Sequence, residues 1–249
     1  MKIRYKKSEQ GSTLITVLIM LILLTIAGTW AIRGSITSLN VSTNAQAQSL
    51  LMQSSDSVFV TMENRTNDDL KFAQMRVGDG ALAFALRPEN KGKELVFCVR
   101  GSKNDNFTGS RIASAVYWAG KTIKNSDLGK NGFCKVNRLS DFISGRKTVL
   151  SQVSIRAADN SADWEHMLEG DDSATSKGKA IQKVIITAVS IIPNLSRSSA
   201  TEVNDCLSNY TSFVDEVIKN KTTSECLAEK NVPYSVQDME YTLKTLKAS

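Results

Sequence analysis

Histidine is almost missing from this chain. His166 is the single one in 249 residues. Any centre that needs two imidazoles is excluded, which removes most catalytic zinc sites. The four cysteines include no C-x-x-C pair, so the common redox and zinc spacings are absent too. No G-x-S-x-G elbow accompanies His166, and no glycine-rich phosphate loop occurs. Asp159, Asn160, Asp163, Asp171 and Asp172 cluster without EF-hand spacing, so a solvated loop is expected there rather than a calcium site. Catalytic, cofactor and metal residues are all expected to be none. Proline occurs three times and first at Pro88, so nothing before it forces a helix to break. With 41% apolar residues the chain is nevertheless globular in composition, not disordered.

What is present begins with unevenly placed charge. The sequence has 31 Lys+Arg and 25 Asp+Glu, a formal net charge of +6. Residues 1–11 hold Lys2, Arg4, Lys6 and Lys7 against Glu9, which is half of that excess. Leu14 to Ile32 then runs for 19 residues without a charge. At about 1.5 Å per residue it crosses most of a roughly 30 Å hydrocarbon core. The basic leader orients the amino end toward the cytoplasm and sends the remainder across the membrane. A buried helix in a soluble protein fits poorly, because the stretch is apolar on all sides. A signal peptide cut near Thr29-Trp30-Ala31 is the stronger rival. Its apolar region would exceed the usual roughly 7–15 residues.

The boundary at the start of the apolar run is more specific. Gly11 closes the polar leader, and Ser12-Thr13-Leu14-Ile15-Thr16 follows at once. This resembles the cleavage motif of type IV prepilins. The resemblance implies that a membrane aspartyl prepilin peptidase cuts between Gly11 and Ser12 and N-methylates Ser12. Two positions depart from the family pattern: Ser12 stands where major pilins usually have Phe, and Thr16, the fifth mature residue, where most members have Glu. That Glu is thought to neutralise the amino terminus of a neighbouring subunit, and a carboxylate in hydrocarbon needs such a partner. A subunit with Thr16 needs none and offers none, which suits a minor pilin or pseudopilin at a filament tip.

Beyond the membrane run, apolar residues recur at helical steps: Ile32, Ile36, Leu39, Thr43, Ala47, Leu50, Val58 and Met62, with a polar gap at Ser54. A helix from 12 to about 63 is expected. Between 35 and 57, fourteen of 23 residues are Ser, Thr, Asn or Gln, and Asp56 carries the only charge. A flexible linker would lack the stripe and usually contain Gly or Pro. A stalk packed among neighbouring stalks would avoid unpaired charge.

Residues 65–249 are long enough to bury a core. Strands are expected at 81–86, 94–99, 111–118, 147–156, 180–192 and 235–246. Gln152-Val153-Ser154-Ile155 and 237–243 alternate like half-buried antiparallel strands, whereas 181–192 reads as central. Short helices are expected at 162–168, 202–219 and 223–230. Cys98, Cys134, Cys206 and Cys226 would sit in an oxidising compartment, where disulfides form. Three pairings are possible. The sequential one, Cys98–Cys134 with Cys206–Cys226, is favoured, and each loop would stabilise by about 3–4 kcal/mol. By resemblance the second would match the C-terminal disulfide region of many pilins.

The expected fold is α+β and pilin-like, a long N-terminal helix packed on an antiparallel sheet. Its parts are a leader at 1–11, a transmembrane and stalk helix at 12–64, and a head at 65–249. By resemblance the chain is a minor pilin of the PilX type, a structural subunit of a type IV pilus tip or priming complex supporting adhesion, twitching motility or DNA uptake. Implied partners are other minor pilins and the major pilin, the prepilin peptidase, the assembly platform, a PilY-type tip adhesin, and inner-membrane lipid before assembly. The implied address is the bacterial inner membrane and then the cell-surface pilus. A type II secretion pseudopilin and a signal-anchored envelope binding protein are the alternatives. Nucleic acid is not indicated, since no basic-aromatic stripe stands out. Removing residues 1–11 would leave 27 Lys+Arg against 24 Asp+Glu, so half of the apparent basicity belongs to the leader.

Overall fold

The computed structural model describes residues 12–100, 112–143, 146–158, 182–215 and 218–243. Gly11 and the leader, His166, the acidic stretch 159–172 and the helix expected at 162–168 lie outside the described residues. Helix α1 runs Ser12–Thr66 without interruption. Two compact units divide the chain at Gln46/Ala47, inside α1, so residues 47–66 belong to the head rather than to a separate stalk.

Within the head unit, α1 is followed by α2 (Asp69–Arg76) and α3 (Ala81–Leu86). Asp68 caps α2, accepting from the Lys71 backbone N–H at 3.2 Å. Gly80 precedes α3 because a Cβ there would come within 2.3 Å of the Met75 carbonyl oxygen. The run 81–86 was expected as a strand, and the structure makes it a helix. Ala and Leu, five of these six residues, form helices readily, and a short apolar run carries no periodicity that separates the two states. Buried Ala81, Leu82, Phe84 and Ala85 fill the layer between α2 and the sheet.

Six strands follow: β1 (Glu94–Cys98), β2 (Ser114–Ala119), β3 (Thr122–Lys124), β4 (Leu150–Ala157), β5 (Gln182–Ile191) and β6 (Tyr234–Leu243). They form one sheet in the order β3-β2-β1-β4-β5-β6, and every neighbouring pair is antiparallel. The α+β, pilin-like layout expected from the sequence is therefore the fold. The short β3 escaped the sequence reading. β5 is paired on both sides, as its uniform apolarity implied, and β6 is an edge strand with alternating exposure.

Side chains of opposite parity build two layers. On one face Val153, Ile155, Val184 and Ile186 meet Val58, Phe59 and Met62 of α1 and Leu82 of α3. On the other, Leu150, Val189 and Ile191 meet Val203 and Leu207 of α4 (Ala200–Ser208) and Leu227 of α5 (Thr223–Glu229). This second layer corrects the expectation for 152–155. All four residues are buried, because both faces are covered. Both late helices carry full capping boxes, Ser199 with Glu202 and Thr222 with Glu225. The helix expected at 202–219 stops at Ser208. Beyond it the chain folds back, and the Asn220 side chain donates to Thr211 Oγ1 and the Phe213 carbonyl while accepting from the Asp215 N–H.

Candidate functional site

The first half of α1 contributes nothing to the head's core. Every residue from Thr13 to Gln46 is exposed, including Trp30 at 77%. It is the one helix among the described residues long and apolar enough to cross a membrane. Its hydroxyls are neutralised locally. Thr16 donates to the Thr13 carbonyl at 2.9 Å, Thr25 to Ile22 at 2.8 Å and Thr29 to Ile26 at 2.8 Å. Such back-bonding is what an apolar solvent demands of a polar side chain. Thr16 thus satisfies its hydroxyl within its own helix. Ser12 begins α1, and its partner in the cleavage motif, Gly11, is outside the described residues.

From Ala47 the same helix becomes a structural element. Leu51, Ser55, Val58, Phe59 and Met62 are buried. The apolar stripe is therefore half right: Ala47, Val58 and Met62 face the head, Leu51 is buried in place of Leu50, and Ile32, Ile36 and Leu39 are exposed. The polar gap at Ser54 has a specific purpose. Ser54 Oγ lies 2.8 Å from Ser151 Oγ, Ser55 Oγ donates to Ser190 Oγ at 2.8 Å, and Ser151 and Ser190 are 2.6 Å apart. Small side chains let the helix approach β4 and β5, and their hydroxyls satisfy one another along the seam.

Both favoured disulfides are present. Cys98–Cys134 has a Cα separation of 4.8 Å, and Cys206–Cys226 one of 5.5 Å. The first ties the end of β1 to the loop after β3, the second joins α4 to α5. Beside the first, Asp141 is fully buried and accepts from Arg100 Nε at 2.7 Å and the Lys135 N–H at 3.0 Å. Within this loop Gly132 fits against β1 only as glycine, since a Cβ would meet the Val96 carbonyl oxygen at 2.3 Å.

Two buried acidic nodes were not visible in the sequence, Asp141 and Glu94. Glu94 on β1 accepts from the Ser212 N–H at 2.8 Å, the Ser212 hydroxyl and the Ser154 hydroxyl at 3.2 Å. Burial pushes its carboxyl above the ordinary range, and the Ser212 hydrogen bonds only partly oppose that. It anchors the loop after α4 to the sheet. Glu202 is the opposite case. Its hydrogen bond from Lys230 and those from Ser199 hold it down at about 2. No group of three or more His, Cys, Asp or Glu able to hold a metal occurs among the described residues. One groove of about 590 Å³ lies between the head part of α1 and β6, lined by Asp56, Phe59, Val60, Glu63, Gln237 and Met239 among others. Next to it burial, with Glu63 nearby, pushes the Tyr241 hydroxyl up to about 12.

No family model, curated protein or solved structure matches this chain.

Proposed function

We propose that the chain is a minor pilin, a structural subunit of the tip or priming complex of a type IV pilus. One observation carries the reading: a single 55-residue N-terminal helix is apolar and uncovered in its first part and forms a core element of a disulfide-tied antiparallel head in its last. A helix of that kind can leave lipid for a bundle of like helices while staying in apolar surroundings. Thr16, satisfied within its own helix, can make that transfer without a charged partner. The Gly11/Ser12 boundary adds the processing step: the peptidase releases residues 1–11 and methylates Ser12. The head would then stand outside the inner membrane, where both disulfides are stable.

The mature N-terminus tests this directly. Mass spectrometry of the chain from its native envelope is expected to find methylated Ser12. An N-terminus at Met1 or near Ile32 would return the chain to the signal-anchored alternative. The pseudopilin alternative shares the same helix and the same Thr16. Deleting the gene separates the two: loss of surface pili supports the proposal, and intact pili with blocked exoprotein secretion overturn it.

A further inference from the structure

Asn131 and Gly132 form the one Asn-Gly pair in the chain. Asparagine is thermally labile, and most so before glycine, which has no side chain to shield its amide nitrogen. In a free chain that nitrogen attacks the Asn side-chain carbonyl. The bond from Gly132 N to Asn131 Cγ forms as the bond from Cγ to Nδ2 breaks. Nδ2 leaves as ammonia, taking up the proton that the Gly132 nitrogen sheds. Water then opens the succinimide at either carbonyl, which leaves aspartate or isoaspartate at 131. No oxidant, reductant or metal is consumed.

Asn131 is exposed between β3 and β4, in the kind of segment where this reaction ordinarily runs. The geometry opposes it. Ring closure requires the peptide joining 131 to 132 to rotate, and both polar atoms of that peptide are held. Its carbonyl oxygen accepts from Arg100 Nη2 at 3.0 Å, and its N–H donates to Ser114 Oγ at 3.0 Å. Neither holder is loose. Arg100 Nε is bound to the buried Asp141 at 2.7 Å, and the Ser114 hydroxyl also donates to the Gly129 carbonyl at 2.7 Å. Just beyond, Phe133 is buried, and Cys134 is fastened both by its disulfide to Cys98 and by its N–H to Gln152 at 3.0 Å.

We propose that Asn131 is a spontaneous modification site, kept silent by the folded head and converted when residues 129–134 lift from β1 and β2. The conversion is also a trap. Isoaspartate routes the main chain through its own Cβ and so lengthens the segment that enters Gly132. That glycine lies so close to the strands that an added Cβ would come within 2.2 Å of the Ser114 nitrogen and 2.3 Å of the Val96 carbonyl oxygen. A longer main chain cannot return both hydrogen bonds of the peptide to Arg100 and Ser114. Aspartate keeps the native backbone and can reseat. A head that stays open therefore loses chains irreversibly, in proportion to the time spent open. This inference uses only the head and does not depend on the pilus reading.

Peptide mapping by mass spectrometry tests it on the full chain, held in detergent micelles at mildly alkaline pH and sampled over weeks. A parallel sample in guanidinium, with both disulfides intact, gives the unprotected rate. Conversion at Asn131 should be more than about tenfold slower in the native sample, because the reaction follows the small population of locally open chains. Ser114→Ala removes the acceptor for the Gly132 N–H. It should speed native conversion about fivefold, the factor by which losing one ordinary hydrogen bond raises the open population. Asn125, just after β3, donates to the Ser208 carbonyl at 2.8 Å and should keep its amide in that variant, which shows that the rest of the head is folded. A third measurement needs no variant. When the aged guanidinium sample is returned to micelles, the chains that regain the native Tm should carry aspartate at 131 and be depleted of isoaspartate. Native conversion as fast as in guanidinium, an unchanged rate in folded Ser114→Ala, or refolded chains rich in isoaspartate would each overturn the proposal.

Discussion

Residues 13–46 and 47–66 belong to one helix and obey different rules. In the first stretch no side chain is buried, although Leu14 to Ile32 is the most apolar run in the protein. In the second, mixed composition yields a strict inner face of Leu51, Ser55, Val58 and Met62. Apolarity alone therefore does not mark the core. A uniformly apolar helix matches a uniform solvent such as lipid, whereas an amphipathic one matches a boundary between protein and water. The backbone hydrogen bonding continues unchanged, and the side chains alone decide which environment each part suits.

The sharpest way to break this comparison is to truncate one large residue in each stretch. Met62→Ala, at a fully buried position, should destabilise the head by about 2–5 kcal/mol, read as a lower Tm. Leu23→Ala, at a position 60% exposed, should leave that Tm unchanged. Equal effects would mean that the apolar run is part of the core after all. Leu23→Lys inverts the test. A charge at the centre of the span opposes insertion by about 3 kcal/mol, so more of the chain should be extracted by alkaline carbonate, without loss of head stability. Smaller is the effect of the serine seam. Ser55→Ala removes the donor to Ser190 and should lower stability by about 1 kcal/mol in denaturant melts, whereas Ser42→Ala, on the exposed stretch, should do nothing measurable.

The subtlest contrast is between two carboxylates of the head. Glu202 is lowered from 4.5 to about 2, so its contribution is present above about pH 4.5 and is lost as pH falls toward 2. Glu94 is raised, so the folded state holds its proton more tightly than the unfolded one. Stability should therefore decline as pH climbs from 4.5 through the raised value. Tm measured against pH should show both slopes. Glu94→Gln should flatten only the upper one, and Glu202→Gln only the lower. A Glu94→Gln profile that keeps the upper decline would show that the decline arises elsewhere.

Much of the fold could be read from residue order. β1, β2, β4, β5 and β6 lie where apolar or alternating runs placed them, because strand periodicity is local. Both disulfides follow the favoured pairing, although four cysteines alone left three pairings open. Three features resisted. The segment 81–86 is too short and too apolar for its period to show helix or strand. β3 is three residues long and owes its place to pairing with β2, not to a pattern of its own. Ser154 and Gln152 looked like solvent-facing positions and are buried, because residues far along the chain cover them: Ser212 bonds to Ser154 and the Leu207 carbonyl accepts from Gln152.

The acidic nodes follow the same division. Nothing adjacent to Glu94 or Asp141 marks them, since their partners arrive from residues 212 and 100. Sequence by itself determined the apolar run, its basic flank, the continuous helix and five of the six strands, all of which depend on near neighbours and on composition. Tertiary structure alone decided where along α1 the head begins, which serines meet across the seam, and which carboxyls lose their water. Those outcomes require residues distant in the chain to meet, and no local pattern encodes such a meeting.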